Sequence, residues 1–211
     1  MLGFHKTGQA ERGDTLIEVL FAITVFSLVV VTTLSIMNQG MQISLRSLQL
    51  TYVRQQVDAQ AETLRFLSSS YVAAYTPGMT AATATGPAKV YATIVANAIT
   101  DGPSDSSAFG AQGAVSCPVP ETGSFILNTR KATLGTLSQI TDADTVAEVR
   151  YDAVTNNIQS SRGIWIEPVR AREAGSSVGY TDFHVRACWP APGLSTPMST
   201  GTIVRLYEPR T

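Results

Sequence analysis

Charge is what this sequence is short of. Aspartate, glutamate, lysine and arginine together make up 15% of its 211 residues, and 15 basic residues nearly balance 16 acidic ones, for a formal net charge of −1. So even a balance excludes bulk electrostatic attraction to nucleic acid as the basis of function. Cysteine and histidine are scarcer still, at two each: Cys117, Cys188, His5 and His184. No Cys-x-x-Cys occurs, and a four-ligand zinc site built from Cys and His would need all four residues, including His5 from the far side of an apolar segment. A structural zinc module is therefore excluded, and no cofactor is expected. The two cysteines leave two readings open, a disulfide or a pair of buried thiols. Export of that part of the chain favours the disulfide. Closing a loop of that length would stabilise the fold by ~4 kcal/mol through lost chain entropy.

A second absence is local. From Val19 to Leu45 no residue is charged, and from Asp14 to Asn38 there is neither glycine nor proline. Leu, Ile, Val and Phe dominate Val19–Met37, so the run is long enough for a helix to cross a bilayer core, which takes about 20 residues. Ahead of it lies a polar leader, MLGFHKTGQAERG, whose Lys6 and Arg12 hold the N-terminus on the cytoplasmic side and direct the rest outward. A conventional signal peptide has a shorter apolar core and a small-x-small cleavage site. SIMNQGMQ, which follows the run, offers no Ala-x-Ala. A plain single-pass anchor fits the hydropathy but leaves Glu18, at the start of the run, unexplained. An acidic residue there costs a few kcal/mol even on the mildest insertion scales.

The segment Arg12-Gly13-Asp14-Thr15-Leu16-Ile17-Glu18 resembles the class III signal sequence of type IV pilins and pseudopilins. The resemblance covers the first quarter of the chain. It implies cleavage between Gly13 and Asp14 by a prepilin peptidase on the cytoplasmic face, with the helix retained on the mature protein and Thr15, Leu16, Ile17 and Glu18 as the processing motif. It implies further that Glu18, the fifth residue after the cut, docks against the freed α-amine of a neighbouring subunit during assembly. Two charges costly apart in lipid become tolerable together when their geometry is good. One departure stands out: where the family usually carries an N-methylated phenylalanine, this chain has Asp14. That points to a low-copy or specialised subunit, and it leaves methylation of the amine open.

Beyond the span, Ile43, Leu50, Val53, Val57, Ala61, Leu64, Leu67 and Tyr71 recur at three- and four-residue steps, as in an amphipathic helix. A continuous helix from Thr15 to about Ser70 would be roughly 85 Å long. A coiled-coil stalk would need sustained heptads that are not there. Residues 72–116 read as a low-charge connector in which Pro87 opens a short helix over Ala88–Ile99. Five runs read as strands: Ser124–Asn128, Ala147–Tyr151, Gly163–Val169, Thr181–Trp189 and Gly201–Tyr207. In the fourth, Phe183, Val185, Ala187 and Trp189 share one face while Asp182, His184, Arg186 and Cys188 share the other. Their succession suggests an antiparallel meander whose apolar face is covered by the outer half of the long helix.

The expected fold is thus α+β and pilin-like: a leader over 1–13, a membrane and filament-core helix over 14–38, an amphipathic half over 39–71, the connector over 72–116, and a β-rich head over 117–211. Many pilins carry a disulfide-bounded C-terminal region, and the resemblance places Cys117 and Cys188 in that role. No enzyme is expected, since a hydrolase would need His184 as its base, and one histidine on an alternating strand reads as structural. Asp142-x-Asp144 and Asp101…Asp105 read as turns rather than calcium loops. Arg150, Arg162, Arg170, Arg172, Arg186, Arg205 and Arg210, with Trp165, Trp189 and Tyr207, could form a DNA-contacting tip. A solvated sheet face, interleaved with Asp152, Glu167, Glu173 and Glu208, is the simpler account. The implied partners are other pilin subunits, the prepilin peptidase, the inner-membrane assembly platform and the lipid bilayer, with DNA or a host surface unsupported. The implied location is the cell membrane and then an extracellular filament or pseudopilus serving adhesion, motility, DNA uptake or secretion.

Overall fold

The structure is a computed structural model that describes residues 14–98, 116–172 and 179–209. The leader, residues 99–115, Glu173 and Arg210 lie outside the described residues, and with them the expectations for Gly13 and Asp101…Asp105. The chain divides into two compact units, residues 1–45 and residues 46–211. The fold is α+β, with one long N-terminal apolar helix, a short second helix, and small antiparallel and mixed sheets in the C-terminal part.

Helix α1 covers Asp14–Ala74, 61 residues. In the first unit every residue from Thr15 to Leu45 is exposed. The most apolar window of α1 has a mean hydropathy of 2.5, so the helix is long and apolar enough to cross a membrane. In the second unit the same helix becomes amphipathic: Val53, Val57, Gln60, Ala61, Leu64 and Leu67 are buried, whereas Arg54, Asp58, Glu62 and Arg65 are exposed. It ends where its chemistry demands, at Thr76-Pro77-Gly78, with the Met79 N–H donating to the Thr76 carbonyl and Gly78 at φ +83°. Proline followed by a left-handed glycine suits a tight turn and cannot continue a helix.

Helix α2 covers Gly86–Ala96, with Pro87 in its first turn as expected. Its Tyr91 and Ile94 join the main core. The core then gathers the strands: β1 (Ile126–Asn128), β2 (Thr133–Gly135), β3 (Ile140–Thr141), β4 (Glu148–Tyr151), β5 (Ile158–Arg162), β6 (Ile164–Arg172), β7 (Gly179–Trp189) and β8 (Met198–Tyr207).

The single antiparallel meander gives way to three sheets among the described residues: β1-β2, β3-β5-β4 and β6-β7-β8. The pair β3–β5 is parallel. Three strands, β2, β3 and β5, were not foreseen. Each is short, and IQSSR and TLG lack the run of β-branched and aromatic residues by which a strand is read from sequence. The other five fall where expected, with edges moved by a few residues. Phe125 stays outside β1 as a bridge to Ile166, each donating its N–H to the other's carbonyl at 3.0 and 2.8 Å.

The largest sheet sets the frame. In β7, Phe183, Val185, Ala187 and Trp189 point together into the core, opposite Ile164 and Ile166 of β6 and Val204 of β8. The buried stripe of α1 belongs to the same core. β6 is an edge strand, which tolerates Pro168. The second face of this sheet is not the solvated one expected. Trp165, Glu167, Asp182 and His184 on it are all buried. Burial of the charged members is made possible by pairing: Arg186 lies 3.2 Å from Glu167, and Arg205 forms two parallel bonds of 2.8 Å to Asp182.

Candidate functional site

The residues singled out at the N-terminus fall at the start of α1. Asp14 is its first residue, and Thr15, Leu16, Ile17 and Glu18 follow in its first turns, all four exposed, Leu16 and Ile17 at 65% and 69%. Glu18 lies four positions after Asp14, which puts both positions on one stripe, about 6 Å apart along the axis. Among the described residues no cation pairs with Glu18. The apolar run that follows contains hydroxyls, and the helix satisfies four of them itself. Thr24 donates to the Phe21 carbonyl, Ser27 to Ile23, Thr32 to Leu28 and Val29, and Thr33 to Val29, at 2.7–2.9 Å. Such back-bonds satisfy these four donors where water is absent.

Cys117 and Cys188 are joined in a disulfide across a separation of 71 residues. It ties the segment before β1 to the end of β7. Beside it, Gly163 adopts φ +60°, donates its N–H to the Thr141 carbonyl at 2.7 Å, and accepts the Cys188 N–H at 2.8 Å. A Cβ at Gly163 would lie 2.2 Å from the Cys188 carbonyl oxygen, so only glycine fits this crossing. Two grooves, of about 300 and 400 Å³, flank the bridge and share Cys117, Asp142 and Ala143. Among the described residues, Asp142 is the only titratable side chain lining either.

The remaining candidates are accounted for by structure. Asp144 pairs with Arg162, and the described residues contain no cluster of three or more His, Cys, Asp or Glu side chains suited to a metal. Asp152 accepts the N–H groups of Val154 and Thr155 and the Thr155 hydroxyl, which holds its carboxyl below the usual range. The pKa of His184 is lowered, first by burial and then by Arg186. Arg150 pairs with Glu148 and Arg170 with Glu208. Trp165 and Trp189 are fully buried, so neither offers a ring face to a nucleic-acid base. The string Gly175-Ser176-Ser177-Val178-Gly179 spells Gly-x-Ser-x-Gly. Its residues 175–178 lie outside the described residues.

No protein-family model, no curated protein and no solved structure matches the chain.

Two features escaped the sequence reading. Gln60 lies on the apolar stripe of α1 at the spacing of Val53, Val57, Leu64 and Leu67, and that shared period was the signal for its burial. The Trp165–Glu167 hydrogen bond of 2.7 Å, with Arg186 against the same carboxylate, had no such signal. Alternation along β6 places Trp165 and Glu167 on one face, but nothing local reveals that this face is covered.

Proposed function

We propose that this chain is a type IV pilin-like structural subunit, of the minor pilin or pseudopilin kind, made as a precursor and cut after Gly13. Its helix holds it in the membrane and then packs in the core of a surface filament, with Glu18 as the docking group and the β-rich head outermost. One observation carries the reading. A glutamate opens a run, Val19 to Leu45, that is uncharged and exposed, four positions after Asp14 and close behind a short positive leader. Nothing in such a helix needs an acid unless a positive partner meets it. A freshly cut α-amine one helical turn away on a neighbour is that partner.

Mass spectrometry of the mature N-terminus, in cells with and without the prepilin peptidase, tests this. A protein beginning at Asp14 only when the peptidase is present supports the reading. An intact Met1 leader in both strains overturns it and leaves a tethered ectodomain.

A further inference from the structure

We propose that the outer edge of β8 is a strand-accepting site for an extended, uncharged segment of another protein. Backbone pairing supplies the affinity, and a groove beside Gly201 takes one bulky apolar side chain of the added strand. The phase of the hydrogen bonds shows which backbone groups are on offer. The Glu208 N–H donates to the Gly179 carbonyl at 2.9 Å, continuing the register in which β7 and β8 pair. Antiparallel bonding alternates along a strand, so Leu206, Val204, Thr202 and Thr200 also turn their backbone groups toward β7. Ser199, Gly201, Ile203, Arg205 and Tyr207 therefore turn theirs away from it. β8 ends its sheet, and among the described residues none of these outward groups has a backbone partner.

Edge strands are ordinarily protected, and the opposite edge of this sheet is. There Pro168 has no N–H to offer, and Phe125 occupies the N–H and carbonyl of Ile166. β8 has neither device. Its sequence, MSTGTIVRLY, contains no proline and no lysine, and its pairing to β7 runs without a bulge. Its one charge, Arg205, is already held by Asp182. The five residues with outward backbone groups are also exposed.

The occupant is read from the groove. At the Ser199–Gly201 end lies a cavity of about 180 Å³, lined among others by Pro118, Trp165, Arg186, Cys188, Ser199 and Gly201. Trp165, Arg186 and Gly201 stand in one row across β6, β7 and β8. An added strand places its next residue in that row, beside the missing side chain of Gly201. A cavity of about 150 Å³ admits benzene, so this one accepts a phenyl or branched aliphatic side chain. Arg186 in its lining disfavours a cation. A second copy of this chain meets that obstacle: paired antiparallel about Ile203, it would bring its own Arg205 opposite Gly201, next to Arg186.

The test adds a fluorescein-labelled peptide to the full chain in detergent micelles and follows anisotropy. The peptide alternates threonine and valine around one central phenylalanine and is blocked at both ends. Binding should saturate below about 1 mM. Replacing the phenylalanine by threonine should weaken it about tenfold, the effect of one buried apolar side chain. Ile203→Pro removes an outward N–H and leaves every bond to β7 in place, so it should abolish binding with an unchanged circular dichroism spectrum. N-methylating the paired amides of the peptide, which leaves the protein untouched, should do the same. Gly201→Val fills the groove and should erase the preference for phenylalanine. No saturable binding overturns the proposal, as does binding that survives both Ile203→Pro and N-methylation. Self-association of the chain that Ile203→Pro removes, with no binding of the peptide, assigns the edge to a second copy and overturns the occupant named here. None of these readings involves the N-terminus, so they stand or fall independently of a cut after Gly13.

Discussion

Gln60 and Leu127 are joined at both ends of one side-chain amide. The Gln60 Nε2 donates to the Leu127 carbonyl at 2.8 Å, and the Leu127 N–H donates to Gln60 Oε1 at 3.0 Å. Both residues are fully buried. A glutamine on α1 thus acts as a one-residue strand, satisfying the backbone of β1 where no strand is paired to that residue's polar groups in the core. An unpartnered buried amide or carbonyl costs about 1–3 kcal/mol, and here two depend on one side chain.

Gln60→Ala should therefore destabilise the second unit by about 3 kcal/mol. Gln60→Leu, which restores volume but no hydrogen bonds, should recover less than half of that. Chemical denaturation of the full chain in detergent, followed through Trp165 and Trp189 fluorescence, measures both. Equal stability of Gln60→Leu and the unmodified protein would show that the amide is dispensable.

Arg205 and Asp182 supply a second case. Asp182 is 3% exposed, while the Arg205 side chain is half in solvent, stacked 4.0 Å from the centre of the Tyr180 ring. Removing the arginine strands a buried carboxylate, whereas removing both partners strands nothing. Arg205→Ala should cost about 2 kcal/mol, reduced from the fully buried case by solvent at the arginine. Arg205→Ala with Asp182→Asn should be closer to the unmodified protein than Arg205→Ala alone. Simple additivity of the two substitutions would contradict the pairing.

His184 makes stability depend on pH. It is buried on β7 between Asp182 and Arg186, level with Glu167 of β6 and Ile203 of β8, and its pKa is lowered from 6.5. Burial and Arg186 lower it, while Asp182 opposes them. The folded protein thus holds the neutral imidazole, and the unfolded chain takes up a proton first as pH falls. The stabilisation is fully present above about pH 6.5 and is lost as pH drops below it toward the folded value. Urea midpoints at pH 7.5 and 5.5 should differ in that direction, and His184→Gln should flatten the difference. An unchanged slope in the variant would assign the pH dependence to other groups.

How far this was legible in the sequence depends on what kind of signal each residue sends. The long helix was plain because its two halves each follow one rule, uncharged throughout and then apolar every three or four residues. Pro87 and the alternation Phe183, Val185, Ala187, Trp189 were equally direct. What escaped notice was set by tertiary cover. Ser160 and Ser161 in β5 look like turn residues, and pairing to β4 and β3 makes them a strand. Glu167 reads as part of a solvated face because charge is normally outside, and only the three-dimensional placement of Arg186 and Arg205 allows Glu167 and Asp182 inside. The candidate N-terminal site is the reverse case. Its pattern, Gly-x-Thr-Leu-Ile-Glu ahead of an uncharged run, is written wholly in the sequence, and the structure adds the helix and its exposure.

The disulfide should be worth most to the head. It closes a loop spanning a separation of 71 residues, and removing it by Cys117→Ser with Cys188→Ser should lower stability by ~4 kcal/mol through the enlarged unfolded ensemble. Since Gly163 packs against the Cys188 carbonyl, Gly163→Ala should lower stability as well, with the bridge intact. Thermal melts with and without reductant separate the two. Insensitivity of the unmodified protein to reductant would mean that the bridge contributes nothing.

Glu18→Ala separates processing from assembly. The proposed cut lies between Gly13 and Asp14, while Glu18 sits one turn further into α1 and is exposed. Removing its carboxylate makes the helix easier to hold in lipid, because the acid is the costly group. The variant should therefore be inserted, cut and retained in the membrane at normal levels. What it loses is the attraction that draws its helix to a neighbour's amine, and with it the check on axial position, since apolar contact alone is indifferent to sliding. Filaments sheared from cells should then contain at least tenfold less of the variant, while the membrane fraction keeps the mature form. Glu18→Asp, with the charge retained on a shorter arm, should fall between the two. Normal incorporation of Glu18→Ala would remove the carboxylate from the docking step, and accumulation of uncut Glu18→Ala would place it in peptidase recognition instead.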